Sequence, residues 1–137
     1  MIRDEPEPEA TAEASFEVRD SDLASALSEG HRNSFPPVFA TARMVALMEL
    51  AAARILAPLL EPGELSVGVL VHVVHTAATP PGATVTARAR YTGREGKKYN
   101  FEIVARDDGG EIGRGTHQRA VIRTQRLVDG ARRRTGS

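Results

Sequence analysis

The sequence predicts an α+β domain in which one curled antiparallel sheet of five strands wraps one long central helix. Three observations predict it. Residues 42–57 are rich in Ala, Leu and Met and contain no proline. Four apolar or alternating runs follow them, set apart by turn signals. One short alternating run precedes the helix, so its apolar partners must come from both sides in sequence.

The chain has 137 residues, enough for one domain with its own core. Lys and Arg number 18, and so do Asp and Glu, so no net charge points to nucleic acid or an anionic membrane. Cysteine is absent, which excludes disulfides, thiolate metal ligands and a cysteine nucleophile and agrees with a cytoplasmic location. The opening MIRDEPEPEA is acidic and lacks an apolar core, so no secretory leader is expected. The longest apolar stretch, Met44 to Leu60, is interrupted by Glu49, Arg54 and Pro58 and is too short to span a bilayer.

Taken in order, residues 1–13 are acidic and proline-rich and read as a disordered tail. ASFEVR at 14–19 reads as a strand. SDLASALSEG reads as a turn or two of helix, with Ser21 able to cap it and Gly30 able to end it. The double proline at 36–37 keeps HRNSFPPVF extended. The long helix starts at Thr41, a good N-cap type, and stops at Pro58. Val45, Met48, Ala52 and Ile55 form its apolar stripe, and Leu47, Leu50 and Ala51 add apolar surface elsewhere, so the helix reads as wrapped.

SVGVLVHVVH is apolar on both faces, as in the centre of a sheet. ATVTARARYTG alternates, with Val85, Ala87, Ala89 and Tyr91 on one side. KKYNFEIVARD alternates likewise through Tyr99, Phe101, Ile103 and Ala105, and EIGRGTHQRAVIRT is the last run. PPG, GREG and DDGG between them predict an antiparallel meander. DGARRRTGS reads as a solvated basic tail, which leaves a domain over 14–125 and a flexible segment over 126–137. A central helix against such a sheet is the hotdog fold. Five strands with a two-sided apolar member call for cover from a second copy, hence a homodimer.

Three polar residues sit where chemistry is possible. His72 and His75 lie three apart on one strand and so face opposite ways. His75, at the strand end, reads either as a hydrogen-bonded structural histidine or as a proton carrier. Glu49 lies between Met48 and Leu50 in the most apolar helix, where a carboxylate is costly unless paired or wet. Thr41 reads as a simple cap, or as a hydroxyl beside the free N–H groups of a helix start, which can hold an oxyanion. The four histidines, His31, His72, His75 and His117, show no metal-ligand spacing, so no metal site is expected. Phosphate loops and a GxSxG elbow are absent, and the glycines of GRG at 113–115 read as backbone relief.

FATARMVALMELAA, GVLVHVVHTAATPPG and EIGRGTHQRAVI together closely resemble the fluoroacetyl-CoA thioesterase family of hotdog proteins, over about residues 14–125. The resemblance implies a homodimeric acyl-CoA thioesterase that uses Thr41, Glu49 and His75 as its catalytic trio. It also implies that Gly68 and Arg119 lie close to the thioester or its product. It further implies a lid with paired aromatic side chains over the acyl group. Here Phe35 can supply one aromatic, but the other lid position holds Arg32 or His31 instead; Phe39 is a further candidate substrate-binding residue. No cofactor is expected, because CoA enters as part of the substrate. Its phosphates need a basic rim, for which Lys97, Lys98, Arg119 and Arg123 are candidates, each also readable as solvated charge. On the same scaffold a hydratase or dehydratase, or a non-catalytic acyl-CoA-binding module, remains open.

Overall fold

In a computed structural model, residues 5–28 and 34–136 are described. Strand β1 (Thr11–Glu17) leads to a 3-10 turn (Asp20–Asp22) and the short helix α1 (Ala24–Leu27). The long helix α2 covers Thr41–Leu56. Strands β2 (Glu64–His75), β3 (Thr84–Glu95), β4 (Lys98–Asp107) and β5 (Gly110–Arg123) follow, and helix α3 (Thr124–Thr135) ends the chain.

The strands form one five-stranded sheet in the order β1-β3-β4-β5-β2, every neighbour antiparallel. The core lies between α2 and the inner face of this sheet. Val85, Ala87, Ala89 and Tyr91 of β3 and Tyr99, Phe101, Ile103 and Ala105 of β4 are buried, as their alternation predicts. They meet Met44, Leu47, Met48, Ala51, Ala52, Ile55 and Leu56 of α2.

Several expectations are corrected. Met48, Ala52 and Ile55 of the expected stripe of α2 are buried, but Val45 is only partly buried, and Met44, Leu47 and Ala51 widen the buried face. The opposite face, with Ala42, Ala46 and Leu50, is exposed, so a single chain does not wrap the helix. Strand β2 is not central. Among the described residues it forms an edge and pairs only with β5. The meander covers β3–β4–β5 alone, because the segment containing PPG crosses back to β3 rather than closing a hairpin. Consequently Val69, Leu70, Val71 and Val74 remain 42–53% exposed. The expected two-sided burial of this strand is not met within one chain, which leaves an apolar run on a sheet edge.

The ends also differ from their reading. The stretch expected to be a disordered tail joins the fold from residue 5. The Tyr91 hydroxyl donates to Glu5 Oε2 at 2.7 Å, Arg90 pairs with Glu9, and β1 already begins at Thr11. Residues 124–135, overlapping the expected flexible segment, are helical. Arginine and leucine favour helix, Arg132, Arg133 and Arg134 sit at the negative helix end, and Gly136 closes it in the left-handed region at φ +77°. Gly30, expected to end the first helix, lies outside the described residues.

The GRG motif does provide backbone relief. A Cβ on Gly115 would lie 2.1 Å from the His72 carbonyl oxygen and 2.6 Å from Val73 Cα. Only glycine lets β5 approach β2 so closely. Gly115→Ala is expected to cost about 1–3 kcal/mol, because the clash is with backbone and no side chain can yield. Urea unfolding of the variant beside wild type measures this, and unchanged stability would contradict the packing of β5 on β2.

Candidate active site

Two clusters of polar side chains border α2, one at its start and one two turns further on. The first is built where three segments meet. Residues 38–40 are tied on one side to the α1 region, with Ala24 N–H donating to Val38 O and Ala40 N–H to Asp22 O. On the other side, Phe39 N–H donates to Thr79 O at 2.9 Å. Thr79 is fully buried and donates to Asp107 Oδ2 at 2.6 Å, while Thr76 N–H donates to Ile112 O at 2.7 Å. The HTAATPPG segment is thus pinned at both ends, which fixes His75.

Thr41 is the first residue of α2, and Ala40 takes the cap position without a side-chain bond. The expected capping role is therefore not played. The hydroxyl turns outward instead, and Thr41 Oγ1 lies 2.8 Å from His75 Nδ1. Phe39 is buried and meets the His75 ring edge-on at 6.4 Å between centroids, with Phe16 behind it at 5.8 Å. His75 Nε2 is buried without a hydrogen-bond partner among the described residues. Burial lowers the His75 pKa from its ordinary value, and the nearby Ala77 backbone partly offsets this. Around the pair lies an open cavity of about 360 Å³ lined by Pro36, Val38, Phe39, Thr41, His75 and Ala77, among others. Phe35 is half-exposed and does not line it. His31 and Arg32 lie outside the described residues. His72 faces away and is exposed.

The second cluster centres on Glu49. Arg119 NH1 donates to Glu49 Oε2 at 2.8 Å, and the Arg119 side chain is 7% exposed against 40% for Glu49. The carboxylate is thus both paired and wet, which answers its cost in an apolar helix. Arg119 is held further by Ser66, through Nε to Oγ and NH2 to the backbone oxygen, each at 3.0 Å. Gly68 faces this pair. A Cβ there would stand 2.5 Å from Glu49 Oε2, so glycine is what admits the carboxylate. His117, absent from the expected site, is buried here. Its ring contacts Arg119 and the Leu70 carbonyl oxygen. The GTHxRAV motif contained this residue, but no spacing rule distinguished it.

Thr41 and Glu49 are eight residues apart on one helix, or about 12 Å along its axis. His75 and Gly68 stand at opposite parts of β2. Within one chain the structure joins Thr41 to His75, and Glu49 to Gly68 and Arg119, but leaves the two groups apart. A separate groove of about 420 Å³ at the β5–α3 junction is lined by Lys97, Arg123 and Arg126 with Val121, Ile122 and Leu127. Lys98 does not line it. Among the described residues, no cluster of His, Asp or Glu is placed to hold a metal ion, and no helix is long and apolar enough to cross a membrane.

Residues 18–125 match the family described as fluoroacetyl-CoA-specific thioesterase. The chain belongs to that family. A fluoroacetyl-CoA thioesterase of Streptantibioticus cattleyicolor is 50% identical over 101 residues, which cover 74% of this chain and 73% of that protein. A crystal structure of a fluoroacetyl-CoA thioesterase superposes with TM-score 0.89 at 42% identity, covering 95% of this chain and 98% of the other. A Thermus thermophilus thioesterase superfamily member superposes with TM-score 0.86 at 27% identity, covering 98% and 96%. This family member is a thioester hydrolase with a hotdog fold, as the sequence motifs predict.

A depressed His75 pKa has a consequence for stability. The unfolded chain binds the proton more readily, so the His75 contribution is full above about pH 6.5 and falls as pH drops toward the folded-state value. Unfolding free energy should therefore decline more steeply from pH 7.5 to pH 5 in wild type than in His75→Gln. Equal slopes would contradict a buried, neutral His75.

Proposed function

We propose that the protein hydrolyses a short-chain acyl-CoA to the free acid and CoA, with fluoroacetyl-CoA the first acyl group to test. The observation that carries this reading is the Thr41–His75 hydrogen bond beside a small cavity at the start of α2. His75 with its proton on Nδ1 donates to Thr41 Oγ1, which leaves the lone pair on Nε2, a buried atom that must be uncovered for His75 to act as base. The Thr41 hydrogen is then free for the thioester carbonyl oxygen. The first backbone N–H groups of α2 add partial positive charge where the oxyanion develops. Glu49 Oε2 is committed to Arg119, so Oε1 is the oxygen available to attack or to orient water.

This chemistry needs both clusters at one thioester, and a homodimer supplies that. Strand β2 offers an unpaired edge with exposed Val69, Leu70 and Val71. An antiparallel two-fold pairing centred near Leu70 sets Ser66 opposite Val74 of the second copy, beside that copy's His75. Glu49, Gly68 and Arg119 of one copy then face Thr41 and His75 of the other. The Lys97, Arg123 and Arg126 groove lies further along β5 from Arg119, where the CoA phosphates fit its charge. Phe39 packs against the His75 ring and lines the cavity beside it.

Free-thiol release from acetyl-, fluoroacetyl-, propionyl-, malonyl- and phenylacetyl-CoA tests the reading. One short ester should turn over, with kcat reduced about 100-fold or more in both His75→Ala and Glu49→Gln. No thiol from any ester, or enoyl-CoA hydration instead, would overturn it. Arg126→Glu should raise KM for the CoA ester about tenfold and leave kcat nearly unchanged, since it removes uniform binding.

A further inference from the structure

We propose that His117 is a positioning residue for this reaction, accepting a hydrogen bond at Nε2 from the guanidinium that holds Glu49. The inference rests on the catalytic reading of Glu49. Its geometry stands independently of that reading. His117 Nδ1 lies 2.7 Å from the Leu70 carbonyl oxygen, which only accepts, so Nδ1 carries the proton. His117 Nε2 lies 3.1 Å from Arg119 NH1, which only donates, so Nε2 carries the lone pair. The two partners fix one neutral tautomer with no freedom left.

Arg119 NH1 has two hydrogens, and this arrangement uses both: one for Glu49 Oε2 at 2.8 Å and one for His117 Nε2. Ser66 takes Nε–H and one hydrogen of NH2. Four of the five guanidinium hydrogens are committed, and the plane of the group is set. Without His117 the second NH1 hydrogen has no acceptor in a buried site, and the guanidinium must turn to find one. Turning moves Glu49 Oε2, and with it Oε1.

The other end of the imidazole braces the sheet. Leu70 follows the register shift in β2 between Gly68 and Leu70, where the ladder to β5 is interrupted. His117 spans from β5 to this irregular point, and its ring packs against Phe101. Burial, the largest influence, lowers the His117 pKa; the Leu70 bond opposes it, Arg119 lowers it further and Glu49 raises it. A neutral ring agrees with both hydrogen bonds.

Two variants separate bracing from positioning. His117→Asn keeps a short donor toward Leu70 O and removes the group that reaches Arg119. His117→Gln places an amide oxygen near Arg119 and gives up the Leu70 bond. With the ester that wild type hydrolyses, His117→Asn should lose about 10- to 100-fold in kcat with KM little changed, and His117→Gln should recover most of it even if less thermally stable. Near wild-type kcat in His117→Asn, or losses that merely follow thermal stability, would overturn the proposal. Imidazole nitrogen NMR of the wild-type protein gives a readout free of substrate. His117 should carry its proton on Nδ1 alone, and a protonated Nε2 at neutral pH would overturn the proposal whether or not the variants fold. If wild type releases no thiol at all, the thioesterase reading fails while this tautomer test still stands.

Discussion

An α-helix rises 1.5 Å per residue, and that rise separates the two halves of the site. Thr41 begins α2 and Glu49 lies just over two turns along it, so one chain holds the hydroxyl–imidazole pair and the carboxylate at different places. The edge position of β2 follows the same division. His75 ends the strand beside Thr41, whereas Gly68 lies in mid-strand beneath Glu49. Every observed contact of the candidate site respects it, and the proposed second copy across the open β2 edge would reunite the two halves.

The apolar surfaces agree with that arrangement. Exposed Val69, Leu70, Val71 and Val74 lie on a strand whose outer edge has no partner among the described residues. Leu50 of α2 and Leu127 of α3 are also exposed. Single exposed leucines need no explanation, but a run on an unpaired edge does. The apolar run of β2 predicted a central strand buried on both faces, whereas in one chain it lies at the edge and is largely exposed. A continuous apolar run reports a preference for cover on both faces and does not report what supplies it.

The fold was otherwise largely legible. The β3 and β4 alternation named the buried residues of both strands, because a half-buried strand has a period of two that turns cannot disguise. Met48, Ala52 and Ile55 of the expected helix stripe are buried, but the buried face is wider and takes in Met44, Leu47 and Ala51, because Ala, Leu and Met occur all round α2 and few polar residues mark its edge. The terminal segments were misread by composition: proline and acids hid a strand start, and arginines hid a helix. Thr41, Glu49 and His75 stood out as candidates because they are polar groups in apolar elements and lie in family motifs, and the structure sets Thr41 beside His75 and Glu49 beside Arg119. Thr41's partner was not legible, since a good N-cap type standing at the first helical turn gives no sign that its hydroxyl points to a strand 34 residues away. His117 was hidden for the opposite reason. It makes two ordinary hydrogen bonds, and their value appears only when Arg119 and Glu49 are placed beside it.

The shared site is tested most directly by mixed dimers. Co-expression of Glu49→Gln and His75→Ala chains with different affinity tags allows the heterodimer to be isolated. If the halves come from different copies, one of its two sites contains every wild-type group and the other contains both changes. The heterodimer should then regain about half of the wild-type turnover per dimer, while each parent homodimer stays inactive. A heterodimer as inactive as its parents would show that each site draws Glu49 and His75 from the same chain, and would contradict the account.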